Sequence, residues 1–273
     1  MNSAFLKDFI RYKKYQYFVS KDKDNEKIFT NNPSIEDQNF LYSLRKNGYV
    51  IIPNFLSKTE CSKLIDIIDK FILDNPKYIW KDDTDSDNRI FGAENISINT
   101  KKALENFVNY SQEIGEHYLK HKIGLFMVMA NRTVFKDKNR GSGAGWHKDS
   151  YSKQFKSILY LNDVNSSNGP FQLIKNSNKN FFMIKLFLKL KNKFPSTRFS
   201  HEDILTILKN EKNKIIELTA KAGTLILVDT SFLHRGKPIE NSSRYALTNY
   251  FFSPKKFEDH KNHFQPKLEK LMK

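Results

Sequence analysis

Gly145-Trp146-His147-Lys148-Asp149 sets an imidazole and a carboxylate two residues apart, in a stretch already loosened by Gly141 and Gly143. In extended backbone, residues i and i+2 project to the same face. His147 and Asp149 can therefore reach one ion from a single strand or strand end, and Trp146 on the opposite face reads as a packing anchor. An isolated His-x-Asp pair is usually incidental, so its meaning depends on the residues further down the chain. Ala222 to Thr230 reads as a turn feeding a buried strand, Ser231-Phe232-Leu233-His234-Arg235-Gly236 puts a second histidine at that strand's end, and Arg244 opens the next strand-like run.

Upstream of the motif the patterns are helical. Phe5, Leu6, Phe9, Ile10, Tyr12, Tyr15, Tyr17 and Phe18, set among lysines, predict an amphipathic opening helix that packs on the domain, with weak contact to a membrane surface as the alternative. Residues 20 to 33 read as a polar loop. Ser34 with Asp37 starts a helix through Lys46 that closes at Asn47-Gly48, followed by a strand from Tyr49 to Ile52. Ser57 with Glu60 forms a capping box for a helix carrying Cys61, Leu64, Ile65, Ile68, Phe71 and Ile72. Asp82 to Asn88 reads as an acidic loop, and another helix covers residues 100 to 120.

Downstream, Gly124–Phe135, Phe155–Leu161, Pro170–Ile174, Ile215–Leu218, Thr224–Val228 and Arg244–Phe252 resemble strands separated by Gly, Asn and Ser turns. Two helices interrupt them: Phe181–Leu188, with Lys185, Lys189, Lys191 and Lys193 interspersed, and a second helix capped by Ser200. Such an insertion is either a lid or a cover for one sheet face. The order predicts an α+β chain with a mainly β, antiparallel core and helices against one side. It is expected to be one domain over 1–273, comprising a helical extension at 1–45, the insertion at 176–214 and a basic tail at 255–273.

Composition narrows the class. Hydrophobic residues make up 39% of the chain, with 23 Phe and 12 Tyr as bulky core material. No apolar run approaches the ~20 residues that span a bilayer, and charges at Lys7, Asp8, Arg11, Lys13 and Lys14 interrupt any signal-peptide core. One cysteine, Cys61, excludes an internal disulfide and points to a reducing, cytoplasmic setting. The net charge of +16 is carried mainly by lysine; it reads as a solvated surface or as attraction to an anionic substrate, carrier or membrane surface. Nucleic acid finds little support, because zinc-finger spacing, RNP-like aromatics and an arginine-rich arm are all missing from the sequence.

Two imidazoles and one carboxylate occupy one face of a ferrous ion and leave the other open for a co-substrate and dioxygen. Arg244 supplies a two-pronged donor suited to a dicarboxylate such as 2-oxoglutarate. The remaining histidines compete poorly. His117 and His121 are four apart on a helix behind Glu116, which is not the metalloprotease order. His201 falls in the first turn of an insertion helix, and His260 and His263 fall in the charged tail, where exposure is expected.

Joined, these residues resemble the phytanoyl-CoA dioxygenase-like branch of Fe(II)/2-oxoglutarate oxygenases over residues 46 to 253. The resemblance rests on Gly48 to Ser57 with Cys61, Trp146 to Asp149, Tyr160 to Val164, Asn168 to Ile174, Ala222-Gly223-Thr224, His234-Arg235-Gly236 and Ser243-Arg244. It implies a double-stranded β-helix (a cupin-like jelly roll) with His147, Asp149 and His234 as iron ligands and as the catalytic centre. It also implies that Arg244 binds the distal carboxylate of 2-oxoglutarate, with Asn131 and Thr133 as further co-substrate contacts. Where relatives commonly read Gly-Ser-His, this chain has Asn176-Ser177-Asn178, which bears on substrate handling rather than on the metal. Asp149 stands where related halogenating enzymes carry a small residue, so hydroxylation is the expected outcome, with succinate and CO2 released. The expected substrate is small and anionic, an acyl-CoA, sugar derivative or biosynthetic intermediate; Arg89 is either a substrate contact or a structural ion pair. An oxygenase acting on nucleic acid or protein, and a non-catalytic jelly-roll binding protein, are the alternatives.

Overall fold

The computed structural model describes residues 3–21, 32–190, 194–209, 211 and 214–261. Most of the 20–33 loop, Lys191, Lys193, His263 and the tail beyond residue 261 lie outside the described residues.

Local sequence sets the first elements. Helix α1 spans Ser3–Lys21. Helix α2, Ile35–Asn47, begins where the Ser34 side chain accepts from the Asp37 amide and ends at Gly48, whose φ of 86° carries the chain out of the helix into β1, Tyr49–Ile52. Helix α3, Lys58–Asp74, carries the reciprocal Ser57–Glu60 capping box. Then come β2 (Trp80–Lys81), β3 (Asp87–Phe91), α4 (Ile98–Leu119), β4 (Gly124–Val134), β5 (Phe155–Tyr160) and β6 (Phe171–Ile174). The chain continues through α5 (Asn180–Lys189), α6 (His201–Leu208), β7 (Ile215–Leu218), β8 (Leu225–Asp229), β9 (His234–Gly236) and β10 (Ser243–Phe252).

The strands pair antiparallel into a seven-stranded sheet ordered β1-β8-β5-β10-β4-β3-β2 and a three-stranded sheet ordered β7-β6-β9. Alternation divides the large sheet's side chains between two cores. Val50, Val128, Leu159, Leu225, Leu227 and Leu247 face outward and pack with α2, α3 and α4. Ile158, Tyr160, Ile226, Val228 and Ala246 face inward against Phe171, Leu173 and Leu218 of the small sheet. This two-sheet, all-antiparallel body is the cupin-like jelly roll.

The register stacks the inward side chains in rows. Asp87, Thr133 and Arg244 form one, followed by Arg89, Asn131, Ala246 and Tyr160, then Phe91, Met129, Thr248 and Ile158, then Met127, Tyr250 and Lys156. The ladder thus runs from a charged end towards a second cationic row with apolar side chains between.

Three expectations are corrected. Asp87 and Asn88 are strand rather than loop, because pairing to β4 and an ion pair with Arg89 outweigh the poor strand propensity of Asp and Asn. The helices do not all lie on one side: α5 and α6 form a separate core with Tyr12, Trp146, Ile174 and Leu233, away from α2–α4. His234 does not sit at the end of the β8 strand but opens β9 in the small sheet. Helix α1 packs on the domain through Tyr12, whose ring meets Tyr151, Phe187 and Phe194. No helix among the described residues is long and apolar enough to cross a membrane.

Candidate metal and co-substrate site

His147 is not part of a regular strand. It sits in a short extended segment held from both sides, with single bridges to His234 and to Arg198. The His147 amide donates to the His234 carbonyl and the His234 amide donates back, each at 2.9 Å. The next amides follow the same logic: Lys148 donates to Thr197 at 2.9 Å and Asp149 to Thr230 at 3.0 Å. The segment returning from α5 towards α6 therefore braces the His-x-Asp motif directly. Gly141 and Gly143 turn the chain in, with φ of 73° and 85°. A Cβ on Gly141 would sit 2.1 Å from the Gly236 carbonyl oxygen, and one on Gly143 would sit 2.5 Å from His147 Cε1.

His147, Asp149 and His234 each offer a donor atom within 4.8 Å of the others, and among the described residues they form the group so arranged. Each imidazole turns Nδ1 to a backbone carbonyl, Gly145 at 2.8 Å for His147 and Phe232 at 2.9 Å for His234. A carbonyl accepts only, so Nδ1 carries the proton and Nε2 presents its lone pair. Both Nε2 atoms lie 3.8 Å from an Asp149 oxygen. Phe171 stacks on the His234 ring at 5.2 Å. Burial, followed by the neighbouring His147, pushes His234 down to about 3. Burial lowers His147 as well. Both rings are therefore neutral at neutral pH, the state that ligates a metal.

Asp149 has a partner that the sequence motif does not reveal. Lys156 Nζ lies 2.7 Å from its Oδ2 and 4.1 Å from the centre of the Tyr250 ring. Burial opposes ionisation of Asp149, but the Lys156 ammonium beside it outweighs that and holds the carboxyl far below its usual range. A signal is nonetheless present in the sequence, since Lys156 alternates with Ile158 and Tyr160, the positions the pleat turns inward.

Arg244 is 5% exposed. Its guanidinium donates to the Gly169 carbonyl, to Asn131 Oδ1 at 2.8 Å and to Thr133 Oγ1 at 3.4 Å. Its buried Nε has no acceptor. No described carboxylate lies within ion-pair distance of Arg244; the nearby Asp87 is engaged by Arg89 and Asn131. A buried, incompletely satisfied cation facing a cavity is a receptor for an anion. That cavity holds about 580 Å3 of empty space including its mouth, and Arg89, Asn131, His147, Lys156, His234 and Arg244 all line it. Arg89 is thus both an ion pair with Asp87 and a wall of the cavity, stacked 4.7 Å over Trp80.

The other sequence candidates fall elsewhere. His201 accepts from Trp146 Nε1 at 3.2 Å, and His121 Nδ1 meets the Lys122 carbonyl. His260, expected to be solvent-exposed, stacks on Phe252 at 3.5 Å because the chain after β10 folds back on the sheet end. Neither Lys185 nor Lys189 lines the cavity. Asn176-Ser177-Asn178 also differs from expectation: Ser177 Oγ accepts from the Leu233 amide and its carbonyl accepts from the buried Lys148 ammonium, so this loop props the metal segment.

A family model described as phytanoyl-CoA dioxygenase (PhyH) matches residues 44–246. The chain belongs to the phytanoyl-CoA dioxygenase family. Members of this family are iron- and 2-oxoglutarate-dependent oxygenases, and the match agrees with the extent read from sequence motifs. Solved structures share the fold at low identity. The 2-oxoglutarate-dependent epimerase SnoN of nogalamycin biosynthesis is 13% identical with a TM-score of 0.59, over 80% of this chain and 83% of its own. EctD from S. alaskensis is 15% identical with a TM-score of 0.57, over 82% and 79%. HygX from Streptomyces hygroscopicus, solved with nickel and 2-oxoglutarate, is 10% identical with a TM-score of 0.53, over 82% and 88%. None of the curated proteins compared matches the chain.

Proposed function

We propose that this phytanoyl-CoA dioxygenase family member is an Fe(II)- and 2-oxoglutarate-dependent dioxygenase that hydroxylates an unactivated C–H bond of a small molecule. One observation carries the reading: two Nε2 lone pairs and a carboxylate converge at one edge of a cavity whose other end holds Arg244 with an unsatisfied Nε.

His147, Asp149 and His234 are the iron ligands in this proposal. Their fit is supported by neutral imidazoles with fixed tautomers and by a carboxylate that is already ionised. Iron bound there supplies activation of dioxygen coupled to decarboxylation of 2-oxoglutarate, with succinate, CO2 and the hydroxylated product as the balance. The protein's share is orientation. Arg244 takes the distal carboxylate of the co-substrate, while Asn131 and Thr133 aim its guanidinium. Lys156 fixes one oxygen of Asp149 and so restricts the carboxylate to a single orientation. Ile158, Met129 and Phe171 give the cavity apolar walls that limit water.

Anaerobic addition of Fe(II) and 2-oxoglutarate tests this. The weak visible charge-transfer band of an iron–keto-acid chelate is expected in the wild type and lost in Asp149→Ala and Arg244→Ala. Iron loading without the band would sink the proposal. An anionic substrate gains no support from the lysine-rich insertion at this cavity: neither Lys185 nor Lys189 lines it, and Lys193 lies outside the described residues.

A further inference from the structure

A second cavity, about 1100 Å3 with its open mouth, adjoins the first and shares Lys156 and Tyr250 with it. Asp149 lines it as well, so the candidate metal position borders both spaces. Its outer walls come from parts of the chain beyond the 44–246 family match: Tyr15 on α1, and Lys256, Asp259 and His260 after β10. Both walls are anchored. Tyr15 Oη lies 3.3 Å from Ser150 Oγ, and Gln16 reaches the Tyr151 carbonyl at 3.4 Å. The segment after β10 packs through Phe257 and His260 on Phe126 and Phe252.

The lining chemistry is selective. Among the described residues it contains no Leu, Ile, Val or Met. Tyr15, Ser150 and Ser152 instead form a chain of hydroxyls at 3.3 and 2.9 Å, each able to donate and accept, with Gln154 beside them. Asp149 and Lys156 lie 2.7 Å apart at the inner end, and Lys256 and Asp259 add one cation and one anion to the outer wall. Burial of an acyl chain is favourable only against apolar partners, and among the described residues these walls supply no aliphatic side chain of that kind. Tyr15, Tyr250 and Phe252 give the walls their aromatic surface.

We infer that this second cavity is the substrate cleft, that α1 and residues 254–261 are this chain's specificity walls, and that the substrate is a hydroxyl-rich ring compound of the glycoside or nucleoside class rather than an acyl chain. The inference rests on the proposed iron and 2-oxoglutarate reading for the position of the reacting centre.

Saturation-transfer NMR on Zn(II)- and 2-oxoglutarate-loaded protein tests it, using methyl glycosides and uridine against lauroyl-CoA. Transfer to the ring protons of at least one ring probe is expected, reduced tenfold or more in Ser152→Trp and in Asp259→Trp. The second variant lies on an exposed position of the terminal helical turn, where folding is not at stake. Transfer to lauroyl-CoA methylenes alone, to no probe, or to ring probes undiminished in Asp259→Trp overturns the inference. The anaerobic Fe(II) band is read on the same wild-type and variant proteins: its absence in the wild type defeats the underlying reading, and its retention in the variants confines their defect to the second cavity.

Discussion

Lys156 changes how Asp149 is understood. In the metal-free protein the lysine is the carboxylate's counter-charge; when a divalent ion binds, the ion takes over that part. Lys156→Met should therefore destabilise the metal-free protein by roughly 2–3 kcal/mol, below the 3–5 kcal/mol of fully buried pairs because 21% of the Asp149 side-chain surface stays accessible. Zinc should then raise the melting temperature more in the variant than in the wild type, and an equal rise in both would show that Lys156 is not the counter-charge. Arg244→Gln keeps a donor but loses the charge. Charge-assisted bonds contribute about 1.5–3 kcal/mol, so 2-oxoglutarate affinity should fall about 10- to 100-fold by calorimetry while Fe(II) affinity holds. At this scale the grouping of His147, Asp149 and His234, with Arg244 on the wall of the same cavity, was legible from residue type and order, whatever their roles. The inward face of Lys156 could be read as well, but its partner could not, because Asp149 reaches it from outside the strands, and the Arg89–Asp87 pair was hidden while Asp87 read as loop.

Among the elements, helix α4 shows how tightly the outer layer is fitted. Gly115 lies where α4 crosses β5, and an added Cβ would fall 2.6 Å from Phe155 Cδ1 and 2.7 Å from Ile123 Cδ1. Gly115→Ala should cost about 1–3 kcal/mol through overpacking despite its better helix propensity, seen as a lower denaturant midpoint with an unchanged slope. The capped helices α2 and α3 were legible because Ser34, Gly48, Ser57 and Glu60 act within a few residues of themselves. Strand β3 was not: Asp87 and Asn88 are poor strand formers locally, and pairing with β4 on one side and β2 on the other makes this segment strand. β9 escaped for a similar reason. It has three residues and exists by pairing with β6, with His147 bridged to its first residue.

Across the whole molecule, helices, large sheet and site are joined through one carboxylate. Asp229 closes β8, accepts from Tyr118 Oη of α4 at 2.6 Å, and receives the amides of Ser231 at 2.9 Å and Gln154 at 3.2 Å. Tyr118→Phe leaves that buried oxygen without its donor and should cost about 1–3 kcal/mol, a fall of roughly 2–4 °C in melting temperature per kcal/mol. The Fe(II)–2-oxoglutarate band at low temperature should survive, since no ligand moves. The same separation between scaffold and chemistry applies to the reciprocal pair of amide bonds joining His147 to His234. Those bonds belong to the main chain, so they form with any residue other than proline at the two positions. A descendant that traded either imidazole for another residue would keep its shape while falling silent as a catalyst. In such a lineage the outline of the protein would long outlast its reaction.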